Sequence, residues 1–388
     1  MLTSRSTSPK YRATLSSLST ELKTAIASTI ARDRLAGVHP WEAIPVRRQS
    51  LLSLTLVNSE WQQICEPIAH EEAELLWPSE DGVPSRQPPP RLQRYIKTLA
   101  YRRPEPETVG GPMPEPLTLP ALRKISIQGG LPVRAPRHAA EICDYLLPYM
   151  PSLVSLAVTA TPRTPADVKL LAELLLSAGE LREIYAQIER QTTSHYESAY
   201  TMEMRDLGRR IVSQFVDLNR VLYSLPNLRS AFLFRYEGDV GVGLLPRWDH
   251  LERLHLIWLI PEEAGGFRLL IDFLRPVSPT LRKLSVDWNY DTKSCPTSMQ
   301  KIHFPNLESL KVLCGPSILP WIDGHTPLRY LELDDHAGDF LPALRQFYDS
   351  QPTKTIARLR CRWSLYEPGH VKGEVEQWAR QRDIDIVP

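Results

Sequence analysis

One spacing of apolar residues recurs along most of the chain. Leucine or a close equivalent stands at the first, fourth and sixth positions of a short phrase, often just after a proline. Ten copies have their apolar residues at Ile96/Leu99/Tyr101, Leu122/Ile125/Ile127, Leu153/Leu156/Val158, Leu181/Ile184/Ala186, Leu228/Ala231/Leu233, Leu251/Leu254/Leu256, Leu281/Leu284/Val286, Leu307/Leu310/Val312, Leu328/Leu331/Leu333 and Ile356/Leu359/Cys361. The last two positions are two residues apart, the period of a strand with one buried face. The recurrence predicts a repeated structural unit.

The segments between copies carry apolar residues at helical spacing. Helices are predicted over Glu141–Tyr149, Val168–Leu175, Met204–Leu222, Phe267–Leu274, Phe340–Phe347 and Val371–Arg382, with a last short strand at Ile384–Ile386. Successive copies begin 21 to 47 residues apart, which leaves room for a right-handed crossover between parallel strands. We therefore predict an α/β fold, a curved solenoid of parallel strands with outer helices. It is similar to the leucine-rich-repeat pattern. An ordinary α/β domain would explain the predicted helices and strands but not why the same apolar phrase recurs.

A different pattern precedes the repeats. Leu18, Leu22, Ile26 and Ile30 are spaced by four, as on one face of a helix. Residues 50–58 alternate as a strand would, but the helical spacing of Trp61, Ile64 and Ile68, continued by Ala73, Leu76 and Trp77, favours a helical cluster. The breaks between its helices are predicted at Gly37, Pro40 and Pro45.

Composition divides the chain into four parts. Residues 1–14 have basic but no acidic side chains, as in a mitochondrial presequence, yet they lack a helical apolar face, which favours a disordered tail. Residues 15–78 form the helical module and residues 92–388 the repeat domain. Residues 79–91 are rich in proline, which favours extended backbone and a linker.

The module also resembles a known family. The run Leu18-x-x-Glu21-Leu22-x-x-x-Ile26, followed by Leu51-Leu52-Ser53-Leu54-Thr55-Leu56-Val57-Asn58-x-x-Trp61 and Ile64-x-x-Pro67, resembles an F-box of the type found at the N-terminus of many fungal F-box proteins. The resemblance implies a small helical F-box that docks on a Skp-type adaptor and so joins a cullin–RING ubiquitin ligase. The residues predicted to bind the adaptor are Leu18, Leu22, Ile26, Leu52, Leu54, Val57, Trp61, Ile64 and Pro67, some of which must instead build the core of the module.

The predicted concave face of the repeats offers a second set of candidates. They are Arg235, His255, Trp258, Asp287, Trp288, Lys311, Glu332, Asp334, Arg360 and Trp363. Aromatic residues and arginines are frequent at binding hot spots, and the mixed charge favours a protein target over a polyanion. Alternatively, the three tryptophans of this set cap the core at strand ends.

Charge and cysteine content limit the possible binding partners and the cellular location of the protein. Lysine plus arginine number 46 against 45 for aspartate plus glutamate, so no overall field attracts nucleic acid or an anionic membrane. The five cysteines are odd in number and widely spaced, which predicts reduced thiols in the cytoplasm, the nucleus or both. No apolar run approaches the roughly 18 residues of a membrane span.

Motifs for catalysis or metal binding are weak. Gly238-x-x-Gly241-x-Gly243 is not followed by a helix start, so it predicts an inter-repeat loop rather than a phosphate site. Cys295, His303, Cys314 and His325 are too far apart for a structural zinc site. The cluster Asp334, Asp335, His336 and Asp339 fits a solvated loop better than acid–base work. We expect no enzyme activity, metal or cofactor.

Three functional hypotheses remain. The first is the substrate-recognition subunit of an SCF-type cullin–RING ubiquitin ligase, which holds an unidentified target protein through its repeats. The second is a leucine-rich-repeat interaction scaffold without a ligase role, because Ser19 stands where the F-box family has proline and residues 35–47 separate the first two helices. The third is an enzyme whose site the motifs do not reveal.

Overall fold

The computed structural model describes fourteen segments of the chain. They are residues 15–32, 40–76, 88–102, 117–127, 143, 146–160, 165–188, 218–236, 244–259, 266–288, 301–313, 316–335, 340–363 and 369–387. Several features named above lie outside the described residues, namely the tail 1–14, Gly37, Trp77, most of the linker (79–87), the glycine motif at 238–243, Cys295, Cys314, His336 and Asp339.

A single sheet of twelve strands runs through the described chain, and its strand order is the chain order. All neighbouring strands pair in parallel. The strands are β1 Glu72–Leu76, β2 Thr98–Arg102, β3 Lys124–Ile127, β4 Ser155–Ala160, β5 Glu183–Ile188, β6 Ser230–Tyr236, β7 Arg253–Leu259, β8 Lys283–Trp288, β9 Ser309–Leu313, β10 Tyr330–Asp335, β11 Arg358–Trp363 and β12 Asp385–Val387. This α/β topology is compatible with a curved repeat solenoid, in which each unit contacts only its neighbours.

Every one of the ten predicted phrases forms a strand. The first apolar residue lies just before the strand and the other two lie within it, so the strands β2 to β11 confirm the prediction. The last predicted strand is confirmed as β12.

Eight α-helices have both of their bounds within the described residues. They are α1 Thr20–Arg32, α2 Pro40–Thr55, α3 Ser59–Ala69, α4 Pro90–Gln93, α5 Pro165–Leu176, α6 Gly266–Val277, α7 Phe340–Ser350 and α8 Gly369–Arg380. The last four confirm the corresponding predicted helices. Of the helix predicted at Met204–Leu222 only the end is described, as helical residues 218–223. Where a helix was predicted to end at Tyr149, a 3-10 helix spans Leu147–Ser152, with Pro151 inside it.

The phrase residues build one continuous core. Leu254, Leu256 and Leu284 are 2% exposed or less, as are their equivalents in most repeats. The cluster to which they belong extends from Ala73 to Ile384. Apolar burial along the sheet therefore stabilises neighbouring repeats against one another.

A backbone motif fixes the register at the start of the strands. The N–H groups of Glu252 and Arg253 both donate to the carbonyl of Arg229, at 2.9 and 3.0 Å. The same pair of bonds to one carbonyl recurs at each strand start from β2 to β11. Asn227 and Asn306, which precede the first leucine of their phrases, add side-chain bonds to the preceding repeat at 2.9 and 2.7 Å.

The N-terminal helices form a second, separate core. Ala27, Leu51, Trp61, Cys65 and Ala69 make up its buried centre. The helical prediction for residues 50–58 is confirmed for residues 50–55, which end α2, while residues 56–58 form the turn and the cap before α3.

Two predictions for this region were wrong. Pro45 does not separate the first two helices, because it lies within α2, which begins at Pro40. Ala73 and Leu76 lie in β1, which pairs with β2, and not in a helix. Helical spacing misled here because five residues contain too few apolar positions to separate a helical from a strand period.

Candidate binding sites

Trp61 is the centre of the helical module. It is 0% exposed, and its indole Nε1 donates to the carbonyl oxygen of Leu15 at 3.1 Å. Its backbone N–H donates to Asn58 Oδ1 at 3.0 Å, so that Asn58 caps the start of α3. The indole thus closes the core between α3 and the residues before α1.

An ion pair between a buried lysine and a partly exposed glutamate connects α1 with α3. Lys23 is 1% exposed, and its Nζ lies 2.5 Å from Glu60 Oε2. Thr20 Oγ1 donates to the other carboxylate oxygen of Glu60 at 2.7 Å. The hydrogen bonds from Lys23 and Thr20 lower the pKa of Glu60, so the carboxylate stays charged near neutral pH and holds the two helices in register.

Ser19, which stands where the F-box family has proline, directly precedes α1. Its Oγ accepts a hydrogen bond from the backbone N–H of Leu22 at 3.3 Å, which is the N-capping geometry. Serine therefore starts this helix without the proline.

The predicted adaptor-binding residues divide into three groups by exposure. Trp61 is buried in the core, so it is unavailable at the surface of this structure. Leu22 and Val57 are 48% and 39% exposed. The remaining residues are half-buried, namely Leu18, Ile26, Leu52, Leu54, Ile64 and Pro67.

Two exposed leucines were missing from that prediction. Leu56 is 87% exposed in the turn between α2 and α3, and Leu15 is 47% exposed. An apolar side chain this open contributes little to folding and is a candidate for contact with another protein. In the sequence, Leu56 was hidden by the alternation of residues 50–58, which suggested a strand.

Arg48 joins the module to the sheet. Its guanidinium donates to the carbonyl of Ala69 at the end of α3, with Nε at 3.1 Å, and to the carbonyl of Glu72 at the start of β1. Nearby, burial and then the charge of Arg48 lower the pKa of His70. The end of α3 and the first strand are therefore held together by one cation.

The second candidate surface is the face of the sheet opposite the leucine core, here called the front face. Its central row consists of the residues between the two strand leucines, which pair in register from strand to strand. From β5 to β11 this row reads Tyr185, Phe232, His255, Ser285, Lys311, Glu332 and Arg360.

Three rings of this row form a stacked ladder, here called the ring ladder. The centroids of Tyr185 and Phe232 are 4.1 Å apart with an interplanar angle of 16°. Those of Phe232 and His255 are 4.2 Å apart at 18°. Burial, and then the charge of Lys311, lower the pKa of His255, so its ring is neutral near pH 7.

A polar network follows the ring ladder along the row. Lys311 Nζ lies 3.1 Å from Glu332 Oε1, and the hydroxyl of Tyr330 donates to Glu332 Oε2 at 3.0 Å. Glu332 is only 5% exposed. Burial, and then this hydrogen bond, raise the pKa of Tyr330.

Basic side chains collect at the start of strands β8 to β10, and this group is here called the basic corner. Arg282, Lys283 and Arg329 surround Glu308, and Arg282 Nη2 lies 2.7 Å from its Oε1. The hydrogen bond from Arg282 and the charges of all three cations lower the pKa of Glu308. The charge of Glu252 also acts on Arg282, and Glu252 is bonded to Arg229 at 3.2 Å, so cations and acids alternate along these strand starts.

The predicted target-binding residues are only partly brought together. His255, Lys311, Glu332 and Arg360 share the central row, and Asp287 lies two residues beyond it on β8. The side chains of the other five, Arg235, Trp258, Trp288, Asp334 and Trp363, lie outside the described part, although their backbones lie in strands.

Sequence reasoning missed Tyr185, Phe232 and Tyr330. The first two stand between the apolar residues of phrase copies in which alanine, at 186 and at 231, replaces leucine, so the phrase is less regular there. Aligning the copies would have placed their rings beside His255.

Other chemistry is sparse in the described residues. A cleft of about 530 Å³ is bordered by Tyr223, Pro246 and Pro276 with Arg220 and Arg247. It has no nucleophile paired with a base. The residues described contain no group of three or more His, Cys, Asp or Glu side chains that could hold a metal ion. No described helix is long and apolar enough to cross a membrane.

Comparison with known proteins gives no assignment. No protein-family model matches this sequence, and no curated protein matches it at a significant level. The class of protein is therefore argued from fold and surface alone.

Proposed function

We propose that this chain is a substrate receptor of a cullin–RING ubiquitin ligase of the SCF type. In this proposal the helical module is an F-box that binds a Skp-type adaptor, and the repeats hold a target protein. The isopeptide bond would be formed by other subunits, and this chain would raise the effective concentration of the target near them.

The main support is the division of the chain into two cores. A three-helix unit with its own buried centre precedes a sheet with a separate core, as expected for an adaptor-binding module followed by a recognition domain. Its connection through Arg48 would fix the position of a bound target relative to the adaptor.

Exposed apolar side chains on the module are the second support. Leu22, Leu56 and Val57 present apolar surface that another protein could cover with a gain of about 25 cal/mol for each Å² buried. We propose Leu56 as a contact residue in addition to the exposed members of the predicted set.

Binding of the purified full chain to a Skp-type adaptor tests the proposal. Isothermal titration calorimetry should show association at micromolar concentration, and Leu56→Asp should weaken it by about tenfold or more, since a charge would be buried against an apolar contact. The matched control is Leu176→Asp, because Leu176 is 64% exposed at the end of α5 in the repeat domain. It should leave the affinity unchanged.

Two results would count against the proposal. If the folded chain does not associate with the adaptor, the receptor function fails, and the scaffold without a ligase role becomes the better explanation. The ring ladder lies on β5 to β7 and requires no adaptor, so it is compatible with that scaffold. If Leu56→Asp and Leu176→Asp behave alike, the contact lies elsewhere on the module.

A further inference from the structure

The two residues between the first and second apolar positions of each phrase lie at one edge of the sheet, here called the strand-start edge. Parallel strands all begin at the same edge, and the second residue of each pair continues in register from Thr98 on β2 to Arg358 on β11. The ten phrases place twenty residues at this edge, and the structure describes all of them. The basic corner is one part of it.

Cations are concentrated at the strand-start edge. The chain has 46 lysine and arginine residues among 388, so about two or three would be expected in twenty positions. Ten are present, and all ten are exposed, namely Lys97, Arg123, Lys124, Arg182, Arg229, Arg253, Arg282, Lys283, Arg329 and Arg358. Neither the apolar core nor the backbone pairing requires a charge at these positions.

Acids at the edge neutralise only part of this charge. Three of the twenty residues are acidic, and each bonds to cations of the same edge. The pairs are Glu183 with Arg253 and Lys124 at 3.0 and 3.9 Å, Glu252 with Arg229 at 3.2 Å, and Glu308 with Arg282 at 2.7 Å. Acids also lie at the two ends, with Glu71 and Glu72 on the β1 side and Asp385 at the start of β12. Ten cations therefore face six acids.

The excess of positive charge lies in two groups. The first group, on β3 to β5, consists of Arg123, Lys124 and Arg182, with Glu183 as its one acid among the twenty residues. The second group, on β8 to β11, consists of Arg282, Lys283, Arg329 and Arg358, with Glu308 as its one acid among them. Between the groups, both cations of β6 and β7 are bonded to acids. The edge thus presents two positive surfaces with a balanced region between them.

Each group contains a cation that is not committed to an ion pair. Arg182 in the first group and Lys283 in the second have no ion pair in the described part of the chain. Glu308 is bonded to Arg282, which the charge of Glu252 also reaches, and Lys283 acts on Glu308 only through its charge. A partner carboxylate could therefore pair with either cation without breaking an existing bond.

We infer that the strand-start edge binds a long acidic segment of a partner protein, whose carboxylates engage both groups. From β3 to β11 is eight strand spacings, about 38 Å, which an extended segment of about twelve residues covers. Opposite charges at both ends of the segment would orient it and speed its association. The inference goes beyond the proposed function, because it uses no residue of the helical module.

The edge suits a protein segment better than a nucleic acid. Proteins that bind single strands combine cations with exposed rings on which the bases stack. Tyr330 is the one aromatic residue among the twenty, and its hydroxyl is bonded to Glu332 at 3.0 Å. A continuous row of phosphates would also meet Glu183, Glu252 and Glu308, whereas a protein segment can place its acids opposite the cations alone.

Fluorescence anisotropy on the full chain tests the inference with designed peptides. The probe is a fluorescein-labelled peptide of twelve residues in which glutamate and serine alternate. One reference peptide has glutamine in place of glutamate, and the other has half the length of the probe. At about 50 mM salt, where screening is weak, both reference peptides should bind at least about tenfold more weakly, because the first lacks charge and the second reaches only one group.

Variants of the chain locate the contact. Arg182→Glu and Lys283→Glu should each weaken binding of the probe by about fivefold or more. The two positions lie on β5 and β8, roughly 14 Å apart, so the double variant should lose about the product of the two factors. The matched control is Lys169→Glu, which makes the same change of charge on α5, where Lys169 is 72% exposed. Each variant is first shown to unfold at the same temperature as the original chain.

Each outcome supports or overturns the inference. Loss of affinity in Arg182→Glu and Lys283→Glu but not in Lys169→Glu supports it. An equal loss in Lys169→Glu overturns it, since binding would then follow net charge alone. Absence of probe binding, equal binding of either reference peptide, or tighter binding of a labelled oligonucleotide, single-stranded or duplex, also overturns it. Adaptor binding is measured on the same preparation, so that failure of peptide binding and failure of adaptor binding are distinguished.

Discussion

Truncating Trp61 should unfold the helical module and leave the repeat domain intact. The side chain is 0% exposed and belongs to a core with only five buried apolar residues in the described part of the chain. Trp61→Ala should therefore cost about 3–5 kcal/mol, which includes the cavity and the lost bond to Leu15. A loss of about 4 kcal/mol corresponds to about a thousandfold change in the opening equilibrium.

Hydrogen exchange resolves where that loss occurs. Amides of α1 to α3 should exchange up to about a thousandfold faster in Trp61→Ala, while amides of β6 to β10 keep their rates, because the two cores are separate clusters. The matched control is Trp248→Ala. Trp248 is 2% exposed in the repeat core, and its Nε1 donates to the carbonyl of Leu222 at 3.0 Å. It should accelerate exchange around β6 and β7 and spare the module.

If Trp61→Ala accelerates hydrogen exchange equally in the helical module and in the repeat domain, the description of two separate cores is refuted. If exchange in α1 to α3 is unchanged, Trp61 does not stabilise the module. The experiment also bears on adaptor binding. A loss of affinity in Trp61→Ala would report unfolding of the module rather than removal of a contact, which is why Leu56 is the better position for an interface test.

Three further predictions concern single side chains. Burial lowers the pKa of His255 below its usual 6.5, so the unfolded chain takes up the proton first, and the free energy of unfolding should fall as pH drops through about 6.5. Denaturant titrations should show a smaller fall with pH in His255→Gln, and an equal pH dependence in both proteins would contradict this. Gly324→Ala should destabilise the chain by about 1–3 kcal/mol, because its Cβ would lie 2.3 Å from the carbonyl oxygen of Ser350; an unchanged melting temperature would refute the clash. Burial raises the pKa of Cys65, so its thiol should react with a disulfide reagent only as fast as the module opens, and reaction at the rate of a free thiol would show that it is accessible.

The strands could be predicted from the repeated phrase because the apolar positions of the phrase are the positions that are buried in each strand. Leu254, Leu256 and their equivalents are fixed by the same requirement in each unit, namely an apolar side chain at every second position of a strand covered on one face. Asn227 and Asn306 had a visible signal too, since both follow a proline and precede the first leucine. Their bonds to the preceding repeat explain why that residue type suits the position.

The positions that were predicted wrongly or missed are those where the local sequence pattern does not encode the long-range contacts that decide the structure. β1 is a strand only because β2 lies beside it, and no period within five residues encodes that neighbour. Trp61 looked like a contact residue in the motif, and its burial depends on how α1 packs against α3. The ring ladder depends on Tyr185, Phe232 and His255, which are 70 residues apart along the chain from first to last and meet only in register.

The repeat architecture itself explains why the target cannot be derived from the fold. Leucines and paired backbone bonds at the strand starts satisfy the apolar and polar requirements of each unit, and neither uses the central row of the front face. The repeat pattern therefore leaves the residue type at positions such as 232 and 311 open, and contacts such as the one between Lys311 and Glu332 at 3.1 Å are local to the row. The same reasoning makes the front face separable from the module. Changes such as Phe232→Ala should alter ligand choice without altering adaptor affinity, and a change that alters both would indicate that the two surfaces bind one partner.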